Sequence, residues 1–253
     1  MLPSLFVSHG SPMLALAAAD SQPAAQFLQQ YAAQHFSGRA KPSAIVVISA
    51  HWTSSQLLVS QTSAPVTVHD FNGFPEQLYR LRYNAPGSPQ LAQRIAKLCA
   101  AQLVERGFDH GVWVPLRWLF ADADVPVVSL SLPWRWSNSQ LLALGQQLRA
   151  LRDEHILILG SGSLTHNLQR LQPAYSATPD WVLTFRDWVT TQLQSDSLAA
   201  LNHWQQAPQA LANHPSPEHF LPLLIAAGAG DLPAQHLHSS VSHGVLAMDA
   251  FAF

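Results

Sequence analysis

The chain has 253 residues, of which 48% are hydrophobic and 11% charged, and its formal net charge is −2. This composition can bury a sizeable core, and the lack of a Lys/Arg cluster argues against a nucleic-acid or anionic-membrane partner. Cys99 is the only cysteine, which excludes an internal disulfide and a thiolate-rich metal site. The sequence has neither an 18-residue apolar run nor a basic signal-peptide region, so we expect a soluble, cytoplasmic protein.

In chain order, apolar runs that predict strands alternate with stretches that predict helices. The predicted elements are strands Leu5–Val7 and Ala44–Ser49, a short hairpin over Leu57–Ser60 and Val66–Val68, helix Ser88–Gln102, strand Val125–Leu130, helix Ser137–Leu151, strand Ile156–Leu159, helix Asp180–Leu193, loop Ala207–Pro217 and strand Val245–Phe251. Four of the strands are apolar on both faces, which is typical of parallel strands covered by helices on both sides. We therefore predict an α/β fold, a single domain over residues 1–253 with a central, mostly parallel sheet flanked by helices.

Three of the predicted strands are each followed by a histidine: His9, His51 and His166. In an open parallel sheet, ligands and catalytic groups gather at the carboxyl ends of the strands. Neutral imidazole is the commonest protein ligand for zinc and first-row transition metals. The pattern predicts a metal site at the carboxyl ends of the strands, although each histidine taken alone could be a hydrogen-bonded structural residue.

Further candidates lie in loops between the predicted elements. His110 lies in a glycine-flanked turn, where its side chain either points into a pocket or stabilises the turn. His219 lies near the start of a short predicted helix and could bind a cation as neutral imidazole, with Glu218 as a ligand or as a partner of a ligand. His69 either lines a substrate pocket or belongs to its loop.

Seven blocks of sequence occur in an order that identifies a family. They are Ser8–Pro12, Ser49–Trp52, His69–Pro75, Ala85–Pro89, Gly107–Gly111, Thr165–Leu168 and Pro217–Pro222. Together they resemble the class III extradiol ring-cleaving dioxygenases, most closely the single-chain branch that acts on DOPA, and the resemblance covers essentially the whole chain. It implies metal ligation by His9 and His51, completed by His219, with His166 as a further candidate ligand. It also implies acid/base or substrate-orienting work for His110, and for His166 if that residue is not a ligand.

One departure from the wider class concerns the metal ligands. That class uses two histidines and a glutamate, the facial triad of non-haem Fe(II) oxygenases, whereas the matching segment here offers Glu218 followed by His219. An all-histidine site with one open position also suits catalytic zinc. The resemblance thus implies one divalent metal ion per chain, with Fe(II) expected for dioxygenase chemistry and Zn(II) as an alternative bound ion.

These observations together predict an extradiol dioxygenase that opens the ring of a DOPA-like catechol with O2, with His69 and Glu218 beside the substrate. Two alternatives remain open from the sequence. One is a zinc-dependent hydrolase that attacks an ester or amide, and the other is a non-catalytic metal-binding protein on the same scaffold. The sequence leaves open the physiological catechol, the native metal and the oligomeric state. A homo-oligomer is compatible with the low charge content.

Overall fold

A computed structural model describes residues 1–16, 22–195 and 198–253. The strands of these ranges are β1 (Ser4–Ser8), β2 (Ala44–Ser54), β3 (Leu58–Ser60), β4 (Gln102–Val104), β5 (Val127–Pro133), β6 (Ile156–Gly162), β7 (Gln235–His238), β8 (Val241–Ser242), β9 (Leu246–Ala247) and β10 (Ala250–Ala252). The α-helices are α1 (Pro23–His35), α2 (Glu76–Arg80), α3 (Pro89–Cys99), α4 (His110–Leu119), α5 (Asn138–Leu148), α6 (Asp180–Gln194), α7 (Leu198–Leu201), α8 (Ala210–Asn213) and α9 (Leu221–Ala229). Within the described ranges, no helix is long and apolar enough to cross a membrane.

The main sheet of the described residues has eight strands in the order β4-β3-β5-β2-β6-β1-β10-β7. Its centre is parallel, because β2 pairs in parallel with β5 and β6, and β6 pairs in parallel with β1. Antiparallel pairs lie toward both edges: β10 pairs with β1 and β7, and β3 pairs with β5, whereas the edge strand β4 pairs in parallel with β3. The predicted α/β fold with a mostly parallel central sheet is confirmed.

Alternate residues of the central strands face two separate cores. Val46 and Ile48 of β2 pack on the side covered by α3, α5, α6 and α9. Their neighbours Ile45 and Val47 pack on the side covered by α1 and α4, and all four side chains are fully buried. Apolar residues at every position of a strand are what burial on both faces requires, which explains why these runs are recognisable in the sequence.

Helix α9 packs directly on α5 because its Gly228 has no side chain. A Cβ at Gly228 would lie 2.2 Å from the carbonyl oxygen of Leu142, far inside van der Waals contact. Within the described residues, α9 also contacts β6, β1 and β2, so it is anchored against the centre of the sheet. The segment that precedes α9, which carries His219, is therefore held over the carboxyl ends of these strands.

Two predictions for the first half of the chain were wrong in detail. The predicted hairpin does not form, since β3 pairs with β4 and β5, whereas Thr67 forms an isolated bridge with Phe108. The helix predicted to reach Gln102 ends at Cys99, where Ala100 adopts a left-handed backbone conformation with φ 52°. Gln102 begins β4 instead.

The second half shows similar shifts. The strand predicted over Val245–Phe251 is interrupted, since β9 ends at Ala247 and β10 begins at Ala250. Between them the Asp249 carbonyl accepts hydrogen bonds from the backbone N–H and the hydroxyl of Ser8. The predicted loop Ala207–Pro217 contains the short helix α8.

Candidate metal centre

The fold brings three histidines from distant segments into contact at one edge of the sheet. His9 directly follows β1, and His219 lies just before α9. His51 lies inside β2, which extends to Ser54, rather than after a strand as predicted; its position falls where the pairing with β5 shifts register. Nε2 of His51 is 3.0 Å from Nε2 of His9 and 3.2 Å from Nε2 of His219.

These separations match a shared metal ion. Two nitrogens bound to one ion at about 2.0–2.1 Å are about 2.9 Å apart at a right angle and about 3.4 Å apart at the tetrahedral angle. Both measured N···N distances, 3.0 and 3.2 Å, fall within that interval. His9 and His219 are buried, so the facing nitrogens are largely shielded from water. The residues present therefore fit a divalent ion.

The electrostatics of the three imidazoles also suit a cation. Burial, reinforced by neighbouring imidazoles, holds the pKa values of His9 and His219 well below the ordinary range. Burial and the neighbouring His110 lower the pKa of His51 to about 3, although Asp70 opposes this shift. All three rings are therefore neutral at pH 7, which is the form of histidine that binds a metal.

Hydrogen bonds at the opposite nitrogens orient these rings. Nδ1 of His9 is 3.0 Å from the Ser161 hydroxyl, which itself donates to the carbonyl of Gly111. Because that hydroxyl hydrogen is already used, Nδ1 of His9 carries the hydrogen and Nε2 carries the lone pair. Nδ1 of His219 faces Glu218 Oε1 at 3.3 Å. Ring nitrogens that are fixed in this way are the usual support of metal-binding histidines.

The end of β6 fixes the backbone of two of these residues. The His9 N–H donates to the carbonyl of Gly162 at 2.9 Å, and the Ser163 N–H donates to the carbonyl of His219 at 2.9 Å. A Cβ at Gly162 would lie 2.1 Å from that same His219 carbonyl oxygen. The glycine lets the chain before α9 lie directly on the sheet, so that the two histidines reach each other.

His110 borders the three facing nitrogens. It is the first residue of α4, and its ring centroid lies 3.8 Å from that of His51 and 5.4 Å from that of His9. Its Nδ1 is 3.0 Å from each carboxylate oxygen of Asp70. Burial opposes ionisation of Asp70, but the hydrogen bonds and the electrostatic interaction with His110 outweigh it and lower the pKa of Asp70 to about 2. Asp70 is thus a carboxylate at neutral pH.

Sequence reasoning missed Asp70 and Ser161. Asp70 lies 40 residues before His110, in a loop where the sequence singled out only the neighbouring His69. A strand-end serine such as Ser161 is equally common in structural positions. The strand-then-histidine pattern finds His9 and His51 but carries no information about the side chains behind them, because those contacts depend on how distant loops fold.

His166 and Glu218 form a second group with His219. The ring of His166 stacks on that of His219, with centroids 3.4 Å apart and planes inclined by 8°. Ligand atoms of His166, Glu218 and His219 lie within 4.8 Å of one another, as do those of His9, His51 and His110. Burial lowers the pKa of His166, which favours its neutral form.

His69 belongs to an aromatic cluster that borders His110. Its Nε2 is 3.2 Å from the carbonyl oxygen of Leu81. Its ring packs against Phe71, Tyr79 and Trp113, with centroids 5.7 to 5.8 Å away. Phe71 in turn lies edge-on to His110 at 5.6 Å. An aromatic wall therefore connects His69 with the acid/base candidate.

The sequence comparison decides the family. A family model described as "Catalytic LigB subunit of aromatic ring-opening dioxygenase" matches residues 3–250. The chain belongs to the LigB family of dioxygenases. The predicted family and the predicted enzyme class, an extradiol ring-opening dioxygenase, are confirmed. LigB dioxygenases are metal-dependent, which agrees with the histidine groups of this site.

Individual relatives agree with this assignment along most of the chain. The dioxygenase is 39% identical over 260 residues to "4,5-DOPA dioxygenase extradiol" of Beta vulgaris, covering 99% of this chain and 96% of that protein. It is 38% identical over 240 residues to the Escherichia coli (strain K12) protein of the same name, covering 91% and 86%. A crystal structure of an uncharacterized protein from Escherichia coli K12 superposes with a TM-score of 0.82 at 31% identity and covers both chains completely.

Proposed function

We propose that this LigB-family dioxygenase opens the ring of a catechol of the DOPA class with O2. Residues 1–253 would form a single catalytic domain, and one divalent metal ion would be held by His9, His51 and His219. The observation that carries the proposal is the approach of three imidazole Nε2 atoms, 3.0 and 3.2 Å apart, in a chain of this family. The relatives named for extradiol cleavage of DOPA support the substrate class.

The three imidazole nitrogens fit either iron or zinc, and the proposed reaction with O2 decides which ion gives an active enzyme. When bound, the ion supplies the positive charge that acidifies a catechol hydroxyl and the redox chemistry that O2 activation needs. Zinc has no redox chemistry, so we assign Fe(II) as the ion of the active enzyme. Zinc bound to the same three nitrogens would give an inactive form.

His110 is the proposed base. Asp70 engages its Nδ1, so its Nε2 is the nitrogen that can take up a proton from a catechol hydroxyl. Imidazole exchanges protons readily near neutral pH, and a well-placed acid/base group contributes about 10²–10⁴-fold in rate. The contact between the rings of His110 and His51 keeps this base next to the proposed ligands.

His166 is the proposed second acid/base or orienting group. Its ring stacks on that of His219, and its ligand atom lies within 4.8 Å of those of Glu218 and His219. The Nε2 atoms of His9, His51 and His219 can hold the ion without His166 as a further ligand. We therefore assign His166 to returning a proton as the ring opens, with Glu218 contacting the substrate beside it.

The aromatic wall is the proposed surface for the catechol ring. The ring of Phe71 contacts those of both His110 and His69, and it contacts that of Phe74 at 5.2 Å. An edge or face of Phe71 can pack on an aromatic substrate, with a gain of about 0.5–1.5 kcal/mol beyond area burial. His69 contributes to substrate binding by supporting this wall.

The experiment is anaerobic reconstitution with Fe(II), addition of L-DOPA, and admission of oxygen. We expect uptake of one O2 per catechol and a yellow ring-opened semialdehyde, with no turnover in the zinc-loaded protein. Absence of O2 uptake across a panel of catechols, in protein shown to hold one iron, would contradict the proposal. Oxygen-independent ester or amide hydrolysis by the zinc form would instead support a hydrolase.

A further inference from the structure

Asp70 makes a two-pronged contact with His110. Both of its carboxylate oxygens lie 3.0 Å from Nδ1 of His110, and Oδ1 also accepts the backbone N–H of the same residue at 2.9 Å. An ionised carboxylate only accepts hydrogen bonds, so the hydrogen in the ring contact belongs to Nδ1. Nε2 of His110 then carries the lone pair and is the nitrogen able to act as a base.

The backbone contact gives Asp70 a structural role as well. The residue before α4, Asp109, makes no cap hydrogen bond with its side chain, because its carboxylate accepts from the Ser49 hydroxyl at 2.6 Å. Asp70 occupies that place from a distant loop, and a carboxylate at a helix N-terminus is favourable. A test must therefore separate two roles of Asp70: stabilising the start of α4, and fixing which nitrogen of the His110 ring carries the hydrogen.

Asp70 also faces the neighbouring ligand candidate. Its Oδ2 is 3.6 Å from Nδ1 of His51, whose ring centroid is 3.8 Å from that of His110. The carboxylate of Asp70 thus faces Nδ1 of both rings, and the Nε2 atoms of His51 and His110 lie on the opposite side of each ring. The side chain of Asp70 is 22% exposed, so water competes only partly for these contacts.

We propose that Asp70 is a positioning residue that holds His110 in the tautomer with its hydrogen on Nδ1, so that an unprotonated Nε2 faces the substrate. The inference deepens the proposed function and rests on it. Without Asp70, the two neutral tautomers of His110 become comparable in energy. Much of the protein would then present an N–H to the substrate where a base is needed.

Asp70→Asn is the variant that separates the two roles. Its amide oxygen still accepts the His110 backbone N–H, so the helix keeps its cap. Its amide nitrogen donates to Nδ1 of His110, which favours the hydrogen on Nε2. Because asparagine has nearly the same shape as aspartate, we expect an unchanged fold and a reversed tautomer.

The first measurement is a long-range ¹H–¹⁵N NMR spectrum of the histidine side chains in zinc-loaded protein. The His110 signals are assigned by their loss in His110→Gln. We expect the hydrogen on Nδ1 in the parent and on Nε2 in Asp70→Asn. The same tautomer in both proteins, or a parent with hydrogen on Nε2, would overturn the inference. Because this readout needs no turnover, it remains informative even if the proposed dioxygenase activity is not found.

The second measurement is a double-mutant cycle on the Fe(II)-loaded enzyme. Asp70→Asn should lower kcat by about 10²–10⁴-fold, with little change in KM or in metal content. In the His110→Gln background the same change should alter kcat by less than about twofold, since its target is gone. Equal losses in both backgrounds would show that Asp70 acts on the fold and would refute the proposal.

Discussion

Replacing Gly162 by alanine should loosen the metal centre through the backbone alone. The new Cβ would lie 2.1 Å from the carbonyl oxygen of His219 and 3.3 Å from a ring carbon of Phe6. Relief of this clash requires the His219 carbonyl to move by about 1 Å, since close packing leaves no room for overlap. That carbonyl accepts from Ser163 at 2.9 Å, so the movement also strains a hydrogen bond of the site.

The size of the expected loss of metal affinity follows from the short length of a metal–nitrogen bond. A shift of about 1 Å is half of a bond of about 2 Å, so the Nε2 of His219 can no longer be held where the other two nitrogens meet. Perturbed support of a ligand typically lowers metal affinity by about 10–100-fold. Overpacking should also lower the free energy of unfolding by about 1–3 kcal/mol.

The matched control is Gly87→Ala, where the new Cβ would lie 1.8 Å from the carbonyl oxygen of Thr62. This clash is at least as severe but lies beside the start of β5, where the Val127 N–H donates to the Pro86 carbonyl, and not at the carboxyl ends of the strands. Urea unfolding should show a similar loss of stability in both variants, whereas a zinc titration against a chromophoric chelator should show lowered affinity only in Gly162→Ala. Zinc affinity within twofold of the parent, or an equal loss in the control, would refute the reasoning.

Three further outcomes are expected. His219→Ala should abolish stoichiometric zinc binding in equilibrium dialysis while His166→Ala retains it; retention by the former would exclude His219 from the ligand set. Arg152→Met should lower the free energy of unfolding by about 3–5 kcal/mol. The buried guanidinium of Arg152 donates at 2.7, 2.7 and 3.1 Å to carbonyls of Leu2, Ala229 and Phe253. A loss below about 1 kcal/mol in urea unfolding would contradict this account. Burial raises the pKa of the Cys99 thiol to about 11, so the thiolate is scarce at pH 8 and a disulfide reagent should react rapidly only after unfolding. Fast reaction of the native protein would show that the thiol is accessible.

The fold was predictable where burial leaves a local pattern in the sequence. The central strands are apolar at successive positions because helices cover both faces, and serine caps mark the starts of α3 and α5. Helix α4 was not predicted, because all but two of its ten residues are buried and no polar face remains to reveal a helical period. Strand β3 pairs with β4, which is distant in the sequence, so the local pattern wrongly predicted a hairpin with the next segment.

The site was predictable to a similar extent. His9 and His51 were identified because each accompanies an apolar strand, and a parallel sheet gathers such residues at one edge. His219 was a candidate from its position near the start of a predicted helix, and the resemblance to a family assigned it to the ligand set. Asp70 and Ser161 could not be predicted, because their roles arise only when loops bring them behind the imidazole rings.

Anomalous diffraction from crystals of the protein loaded with one equivalent of metal tests the central claim most directly. We predict a single strong peak, about 2.0–2.2 Å from Nε2 of His9, His51 and His219, with the ring of His166 outside the coordination shell. A peak held instead by His166 and Glu218, or one that contacts fewer than two of the three predicted nitrogens, would contradict the account.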